Sequence, residues 1–317
     1  MDDQTTMTDI PTLAMRLDRG DFVFTAEITP PVSASADDLL VKALPLKGLV
    51  DAVNVTDGAS ARVHMSSIAA AATLAANGIE PIVQFTCRDR NRIALMSDLL
   101  GASALGIRNL LILRGDDPTR GDQPTAKAVF DMESAELMAV VRDMTTNGTL
   151  PSSATNADGD VEVIDKSLPS KPDFFIGAAD MPNGERNEAW LKGLHNKVAS
   201  GARFIQTQLC YDMDLVARYA AILKEEGITD QVHILIGNGP LPSVKSAQWM
   251  RDNLFGVAMP DEVIDRLDRA SDAKAEGVRI CVEQAELMSA IAGISGVHLM
   301  APVNAGSIPA VIGHFRP

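Results

Sequence analysis

The chain has 317 residues, 46% of them hydrophobic and 22% charged, which is the composition of an ordinary globular protein. A formal net charge of −14 argues against a nucleic-acid-binding surface, and the apolar runs are too short to cross a membrane. Three widely spaced cysteines without a CxxC pair predict neither a disulfide framework nor a zinc site, and with the acidic, polar first residues they indicate a cytoplasmic protein.

Short apolar strands alternate with helical patterns along the chain. Strands are predicted at Phe22–Ile28, Ala52–Thr56, Pro81–Thr86, Asn109–Leu113, Phe174–Ala178, Phe204–Leu209, Val232–Ile236 and Val297–Ala301. Helices are predicted between and after them at Ala36–Leu46, Val63–Ala76, Arg92–Gly101, Ser134–Met144, Glu188–Ala199, Met213–Glu226, Val244–Asn253, Asp261–Ala270 and near Ala273–Ala292.

About eight such β-then-α units predict an α/β fold, a single (β/α)₈ TIM barrel over residues 21–317. The alternative is a doubly wound open sheet, although no strand is followed by a convincing GxGxxG fingerprint. Residues 1–20 are expected to form a flexible N-terminal segment. Residues 145–172, rich in Ser, Thr, Asn, Asp, Gly and Pro, predict a loop insertion within the same domain, in which the DVEVID segment suits an added short strand.

Polar side chains stand at the carboxyl ends of several strands, the end at which such barrels carry their chemistry. In the segment FVFTAEITPP, alternation places Val23, Thr25 and Glu27 on the face toward the barrel interior. The pairs Asn54 with Thr56, Gln84 with Thr86, and Gln206 with Gln208 follow the same pattern. A polar mouth with one acid predicts a site for a polar organic ligand.

Each of these features also has a purely structural interpretation. Glu27 alone could equally pair with a lysine or arginine, the Arg114-Gly115-Asp116 segment fits a tight turn, and Lys197 fits a solvated helix face. The five histidines show no HExxH or triad-like spacing, so no metal site is predicted.

Taken in order, the strand-end motifs resemble those of the methylenetetrahydrofolate reductase family. The resemblance rests on TAEITPP, VNVTDGA, QFTCRDRN, NLLILRGDDP, GARFIQTQLCYD, GNGPLPS and FGVAMPDEVIDRL. It extends from about Phe22 to about Phe315, which is nearly the whole chain.

This resemblance implies an FAD-dependent reduction of 5,10-methylenetetrahydrofolate to 5-methyltetrahydrofolate with NADH or NADPH, in one-carbon metabolism and methionine biosynthesis. It implies a ping-pong hydride transfer through the flavin, in which Glu27 protonates the leaving nitrogen N10 and Asp116 lies between flavin and pterin. The implied FAD contacts are Thr56, Asp57, Ala59, Gln84, Arg114, Gly115, Asp116 and Lys197. The implied contacts to the folate substrate are Glu27, Asp116, Gln208, Gln248 and Asn304. A homo-oligomer, dimer or tetramer, is also expected.

Three alternatives stay open. The same enzyme could oxidise 5-methyltetrahydrofolate in a one-carbon or demethylation pathway. The second is a flavin-free folate-binding barrel that depends on an electron-transfer partner. It is suggested by Asn196, which precedes Lys197 where a second basic residue, and so a second charge for the FAD diphosphate, is common in the family. The third is an unrelated aldolase or lyase, which would normally offer a Schiff-base lysine or metal ligands at the strand ends.

Overall fold

A computed structural model of the chain describes residues 11–156, 158–302 and 304–316. The strands in these ranges are β1 (Val23–Ile28), β2 (Ala52–Val55), β3 (Pro81–Thr86), β4 (Asn109–Leu113), β5 (Thr149–Thr155), β6 (Val161–Ser167), β7 (Phe175–Asp180), β8 (Phe204–Leu209), β9 (His233–Asn238) and β10 (Gly296–Leu299). Eight of these strands close into a parallel barrel in the order β1-β2-β3-β4-β7-β8-β9-β10. The predicted single (β/α)₈ barrel is therefore confirmed.

Helices follow most of the barrel strands and cover the outside of the barrel. They are α1 (Leu13–Asp18), α2 (Ala36–Ala43), α3 (Ser67–Ala76), α4 (Arg92–Ala104), α5 (Ser134–Thr146), α6 (Glu188–Ala199), α7 (Met213–Glu225), α8 (Val244–Asn253), α9 (Asp261–Arg269), α10 (Ala273–Ser289) and α11 (Ile308–Phe315). Several begin at a side chain that accepts a hydrogen bond from a first-turn amide, which satisfies one otherwise unpaired donor. These residues are Ser35, Asn91, Asn187, Asp212, Ser243 and Asp272.

The two faces of β1 bury their side chains in different places. Phe24, Ala26 and Ile28 belong to the large core between the barrel and its helices. Val23 belongs to a smaller apolar cluster inside the barrel, together with residues from six other strands. The predicted alternation is therefore correct, and it directs Thr25 and Glu27, which lie on the same face as Val23, toward the interior.

Helix α1 packs against the end of the barrel opposite the strand carboxyl ends. Leu13 and Leu17 are buried in the interior cluster. The Leu13 amide donates to both carboxylate oxygens of Glu80 at 3.1 Å, and the Asn109 side chain donates to the same carboxylate at 2.8 Å. Burial raises the pKa of Glu80 despite these donors.

Two segments differ from the sequence-based expectation. Residues 13–18 of the expected flexible segment form the packed helix α1, whereas residues 1–10 lie outside the described residues. Residues 149–155 and 161–167, within the expected loop insertion, pair as the antiparallel strands β5 and β6. The short strand suggested for DVEVID corresponds to β6, and β5 was missed because its Ser- and Thr-rich sequence is equally typical of loops.

None of the helices in the described residues combines the length and the apolar character needed to span a bilayer.

Candidate functional site

Glu27 is the carboxylate at the mouth end of β1, and its side chain is 21% exposed. The Gln84 side-chain amide at the end of β3 donates a 2.7 Å hydrogen bond to its Oε2 atom. Nε2 of His298 in β10 lies 3.7 Å from the same oxygen. In the described part of the chain, no lysine or arginine forms an ion pair with Glu27, which removes the main structural interpretation of this acid.

A buried polar layer lies beneath Glu27 inside the barrel. Thr25, Asn54, Gln206 and His298 are each at most 2% exposed, and they hydrogen-bond with one another. Asn54 and Gln206 exchange side-chain amide hydrogen bonds of 2.6 and 3.1 Å. A barrel core is normally filled by branched apolar side chains. A polar layer whose hydrogen bonds are satisfied is rigid, and here it forms the floor beneath the Glu27 side chain.

Asp57, which follows β2, is fixed by donors from three other residues. Arg90 binds both of its carboxylate oxygens, at 2.7 and 3.2 Å, and Thr86 donates from its amide and its hydroxyl at 3.0 and 2.9 Å. Ser67 adds a further hydrogen bond of 3.0 Å. Burial alone would raise the pKa of Asp57, but Arg90 and Thr86 outweigh it and hold the pKa below its usual range. This carboxylate therefore anchors the loops that form the mouth.

A cleft of about 440 Å³ opens beside this anchor, at the carboxyl ends of β2, β3, β4 and β7. These strands are neighbours in the barrel, so their terminal loops form one continuous wall. The predicted residues that line the cleft are Asp57, Ala59, Gln84, Arg114, Gly115, Asp116 and Lys197. Gln84 both lines the cleft and binds Glu27, and it thereby places the acid next to the cleft.

The loop after β4 contributes the charged part of the wall. Gly115 has φ of 95°, and a Cβ atom there would lie 2.8 Å from Cβ of Arg88, so only glycine fits. Asp116 is exposed and makes no hydrogen bond or ion pair within the described ranges. The Arg114 guanidinium lies 4.1 Å from the centre of the Phe130 ring. The turn at residues 114–116 therefore presents a free carboxylate to the mouth.

At the β7 end of the cleft, Lys197 of α6 is tied to the end of this strand. Its Nζ atom donates to the Ala179 carbonyl at 2.7 Å and lies 3.6 Å from Oδ1 of Asp180. The Tyr219 hydroxyl and the Trp190 ring nitrogen donate to the other Asp180 oxygen at 2.8 and 3.3 Å. Burial raises the pKa of Tyr219, and Asp180 raises it further, so this phenol stays a donor.

The three remaining predicted substrate contacts do not line this cleft. Gln208, at the end of β8, donates to the Phe255 carbonyl at 3.0 Å and is half-buried. Asn304 is buried, where it donates to the Pro240 carbonyl at 3.3 Å and accepts from Ser307 at 2.8 Å. Gln248 is exposed on α8. The roles of all three stay predictions.

Thr56 lies at the end of β2, deeper than the cleft wall. Its hydroxyl oxygen is buried and has no hydrogen-bond partner among the described residues. Buried hydroxyls in folded proteins are normally satisfied, so an unpaired one at a strand end is typical of a group whose partner is a ligand or a water molecule.

Sequence reasoning assigned no role to four residues at this mouth. Asp180 is the last residue of β7, and its position at a strand end is the sequence signal that marks it. Arg88 belongs to the QFTCRDRN motif. It lines the cleft, and its guanidinium pairs with Asp89 at 2.7 Å. Phe255 is 81% exposed and lies beside Gln208. In the sequence it is a single aromatic residue in a turn, which carries no functional signal. The position of His298 near Glu27 depends on the pairing of β10 with β1, which the local sequence does not show.

Within residues 11–156, 158–302 and 304–316, no group of three or more His, Cys, Asp or Glu side chains could hold a metal ion. A larger cleft of about 970 Å³ lies outside the barrel, between α4, α5 and the hairpin. Its lining contains none of the predicted site residues, so we take the strand-end cleft as the candidate site.

Comparison with known proteins identifies the family of the chain. The chain is 24% identical over 216 residues to the 5,10-methylenetetrahydrofolate reductase of Pectobacterium carotovorum. This alignment covers 67% of this chain and 62% of that protein. The chain is also 24% identical over 259 residues to the probable methylenetetrahydrofolate reductase (NADPH) of Caenorhabditis elegans, covering 79% of this chain and 34% of that protein. The chain thus spans under two thirds of the length of each relative.

The fold has a matching solved structure. A protein from Clostridium thermocellum, described as binding two copies of 5-methyl-5,6,7,8-tetrahydrofolic acid, superposes with a TM-score of 0.62 at 15% identity, covering 95% of this chain and 96% of that one. The family model for methylenetetrahydrofolate reductase matches residues 12–315. The chain therefore belongs to the methylenetetrahydrofolate reductase family.

Proposed function

We propose that this chain reduces 5,10-methylenetetrahydrofolate to 5-methyltetrahydrofolate, with FAD as cofactor and NADH or NADPH as donor. Family membership supports the substrate class. The observation that carries the proposal is Glu27, an acid without an arginine or lysine partner in the described residues, held by Gln84 beside a strand-end cleft. The same cleft is also lined by a free carboxylate, Asp116.

The residues of the mouth fit a dinucleotide. The cleft of about 440 Å³ adjoins a second one of about 260 Å³, and the two share Asp57 and Arg88, which gives an elongated cavity. Lys197 would hold the negatively charged diphosphate, while Gly115 and Gln84 would contact the flavin ring. The unpaired Thr56 hydroxyl would gain a partner. When bound, FAD supplies the hydride transfer between nicotinamide and folate.

Glu27 supplies the proton that the folate needs. The methylene carbon of the substrate bridges N5 and N10 in a five-membered ring, and hydride cannot add to it until the ring opens. Opening requires a proton on N10, and we assign its delivery to the protonated carboxyl of Glu27. The exposed carboxylate of Asp116 would stabilise the positive charge that develops in the opened ring.

Two measurements on the purified protein test this proposal. Its visible absorption spectrum should show oxidised flavin, and NADH or NADPH should be oxidised beyond one equivalent per flavin only when methylenetetrahydrofolate is added. Bound flavin without folate-dependent turnover in either direction would contradict the proposed activity. Folate binding without flavin, and with no gain on adding FAD, would instead support the flavin-free alternative. Turnover with 5-methyltetrahydrofolate and an electron acceptor, in the absence of the forward reaction, would support the oxidative alternative.

We further propose a homo-oligomer, dimer or tetramer, in the cytoplasm. The location is supported by Cys87, Cys210 and Cys281, which are all buried and form no disulfide in the described residues. Light scattering on the purified protein measures the oligomeric state, and a monomeric mass at assay concentrations would contradict this part of the proposal.

A further inference from the structure

We propose that His298 is a positioning residue for Glu27. Its neutral ring, with the proton on Nε2, holds atom Oε2 of Glu27 together with Gln84, so that the transferable proton sits on Oε1. The catalytic consequence rests on the proposed function, whereas the side-chain arrangement does not.

The first step is the asymmetry of the carboxyl group. Oε2 accepts from Gln84 at 2.7 Å and lies 3.7 Å from Nε2 of His298, whereas Oε1 makes no hydrogen bond within the described residues. The distance of 3.7 Å is slightly beyond a hydrogen bond, and a small rotation of either side chain closes it. Hydrogen bonds at catalytic groups are commonly long without substrate and shorten in the complex.

The second step is the tautomer of His298. Barrel closure pairs Thr25 of β1 directly with His298 of β10. The Thr25 hydroxyl lies 2.9 Å from Nδ1, and the Gln206 amide nitrogen lies 3.3 Å from it. One Gln206 hydrogen is used by Asn54, at 3.1 Å, and the other points to Thr25 or to Nδ1. Where Gln206 donates to Nδ1, this nitrogen must accept and the ring proton lies on Nε2. Where Gln206 donates to Thr25, we assign the Thr25 hydroxyl proton to Nδ1, which gives the same tautomer.

The third step is the consequence for proton transfer. With two donors on Oε2, the acid carries its proton on Oε1. During transfer the Oε1–H bond of Glu27 breaks, the N10–H bond forms, and the electron pair stays on the carboxylate, where Gln84 and His298 stabilise the new charge. Water returns the proton to Glu27 after turnover. A charged imidazolium at this distance would instead favour the carboxylate before substrate binds and would remove the proton to be donated.

A matched pair of variants tests the positioning role. In His298→Gln the side-chain nitrogen reaches the place of Nε2, while in His298→Asn it reaches only the place of Nδ1. We expect the glutamine variant to stay within a few-fold of wild type and the asparagine variant to lose about 10- to 100-fold in kcat with little change in KM. Equal kcat values in the two variants, at matched thermal stability, would overturn the proposal.

The ring nitrogens can be observed directly by ¹⁵N NMR of histidine-labelled protein, with His298→Gln used to assign the signals. We expect a protonated Nε2 and an unprotonated Nδ1 for His298. A proton on Nδ1 in wild type would refute the inference. Lack of folate turnover in wild type would instead refute the proposed function, because the NMR experiment requires no substrate.

Discussion

The side-chain amide of Gln84 donates a 2.7 Å hydrogen bond to Oε2 of Glu27, and this bond joins the ends of β3 and β1 across the barrel mouth. Strand β2 lies between these two strands, so the contact bridges over a neighbour. Sequence reasoning placed Glu27 as the acid and Gln84 as a flavin contact. The structure adds that Gln84 orients the acid, which couples the cleft wall to the proton donor.

Replacing Glu27 by glutamine tests the acid directly. Glu27→Gln keeps the shape of the side chain but removes the transferable proton, so reduction of methylenetetrahydrofolate should fall about 10²- to 10⁴-fold. Reduction of the enzyme by NADH or NADPH should continue, because that step needs no proton on N10. Stopped-flow absorbance of the two half-reactions separates these effects.

Glu286→Gln is the control for that variant. Glu286 is exposed and, among the residues that the structure describes, pairs only with His314, at 2.9 Å, on the outer helices. Both half-reactions should proceed normally in it. A Glu27→Gln enzyme with an unchanged folate half-reaction would remove Glu27 from the mechanism.

The fold and part of the site follow from local sequence. Alternation within FVFTAEITPP and the strand-end rule place Glu27 and Gln84 at the mouth, because the side-chain direction in a strand is fixed by its period of two. The contact between His298 and Glu27 could not be predicted in this way, because it depends on the pairing of β10 with β1 when the barrel closes. The pairing of β5 with β6 is local, but the Ser- and Thr-rich sequence of β5 is equally typical of loops, so it gave no strand signal.

The three cysteines should resist alkylation in the folded protein. Burial raises the pKa of Cys87 to about 11 and that of Cys210 to about 12, and it raises the pKa of Cys281 as well. At pH 8 the thiolate fraction of Cys87 is then about one in a thousand, and the thiolate is the reactive form. Mass spectrometry after iodoacetamide treatment should find no label in native protein and three labels after unfolding in guanidinium. Rapid labelling of any native cysteine would contradict this burial.

Gly115 should not accept a side chain. Its φ of 95° and the distance of 2.8 Å between an added Cβ and Cβ of Arg88 predict that Gly115→Ala costs about 2 kcal/mol or more and lowers flavin content, because this residue lines the cleft. Gly101 lies inside α4 with no atom within 4 Å of an added Cβ, so Gly101→Ala should stabilise by about 0.5–1 kcal/mol. Thermal denaturation of both variants checks the prediction, and equal Tm changes would contradict it.

The buried ion pair of Arg90 with Asp57 should dominate the stability of the mouth. The two side chains are only 16% and 9% exposed. Arg90→Met leaves a buried carboxylate without its cation and should cost about 3 kcal/mol or more at pH 7, a fall in Tm of roughly 5 °C or more. Arg92 forms a similar pair with Asp131, but the exposures there are 62% and 31%, so Arg92→Met should leave Tm nearly unchanged.

The acid dependence of this effect follows from the pKa of Asp57, which lies below its ordinary value of 3.8 in the folded protein. A carboxyl group with a lowered pKa stabilises the fold fully above its unfolded-state pKa and loses that contribution as the pH falls through its folded-state pKa. In Arg90→Met the same carboxyl is buried without its cation, and burial raises its pKa above the ordinary value. The stability gap between wild type and Arg90→Met should therefore be largest at high pH and should narrow as the pH falls through this raised pKa and then through the lowered pKa of wild type. Urea denaturation across this range measures the gap. A gap that stays constant or widens as the pH falls would assign the effect to a different group.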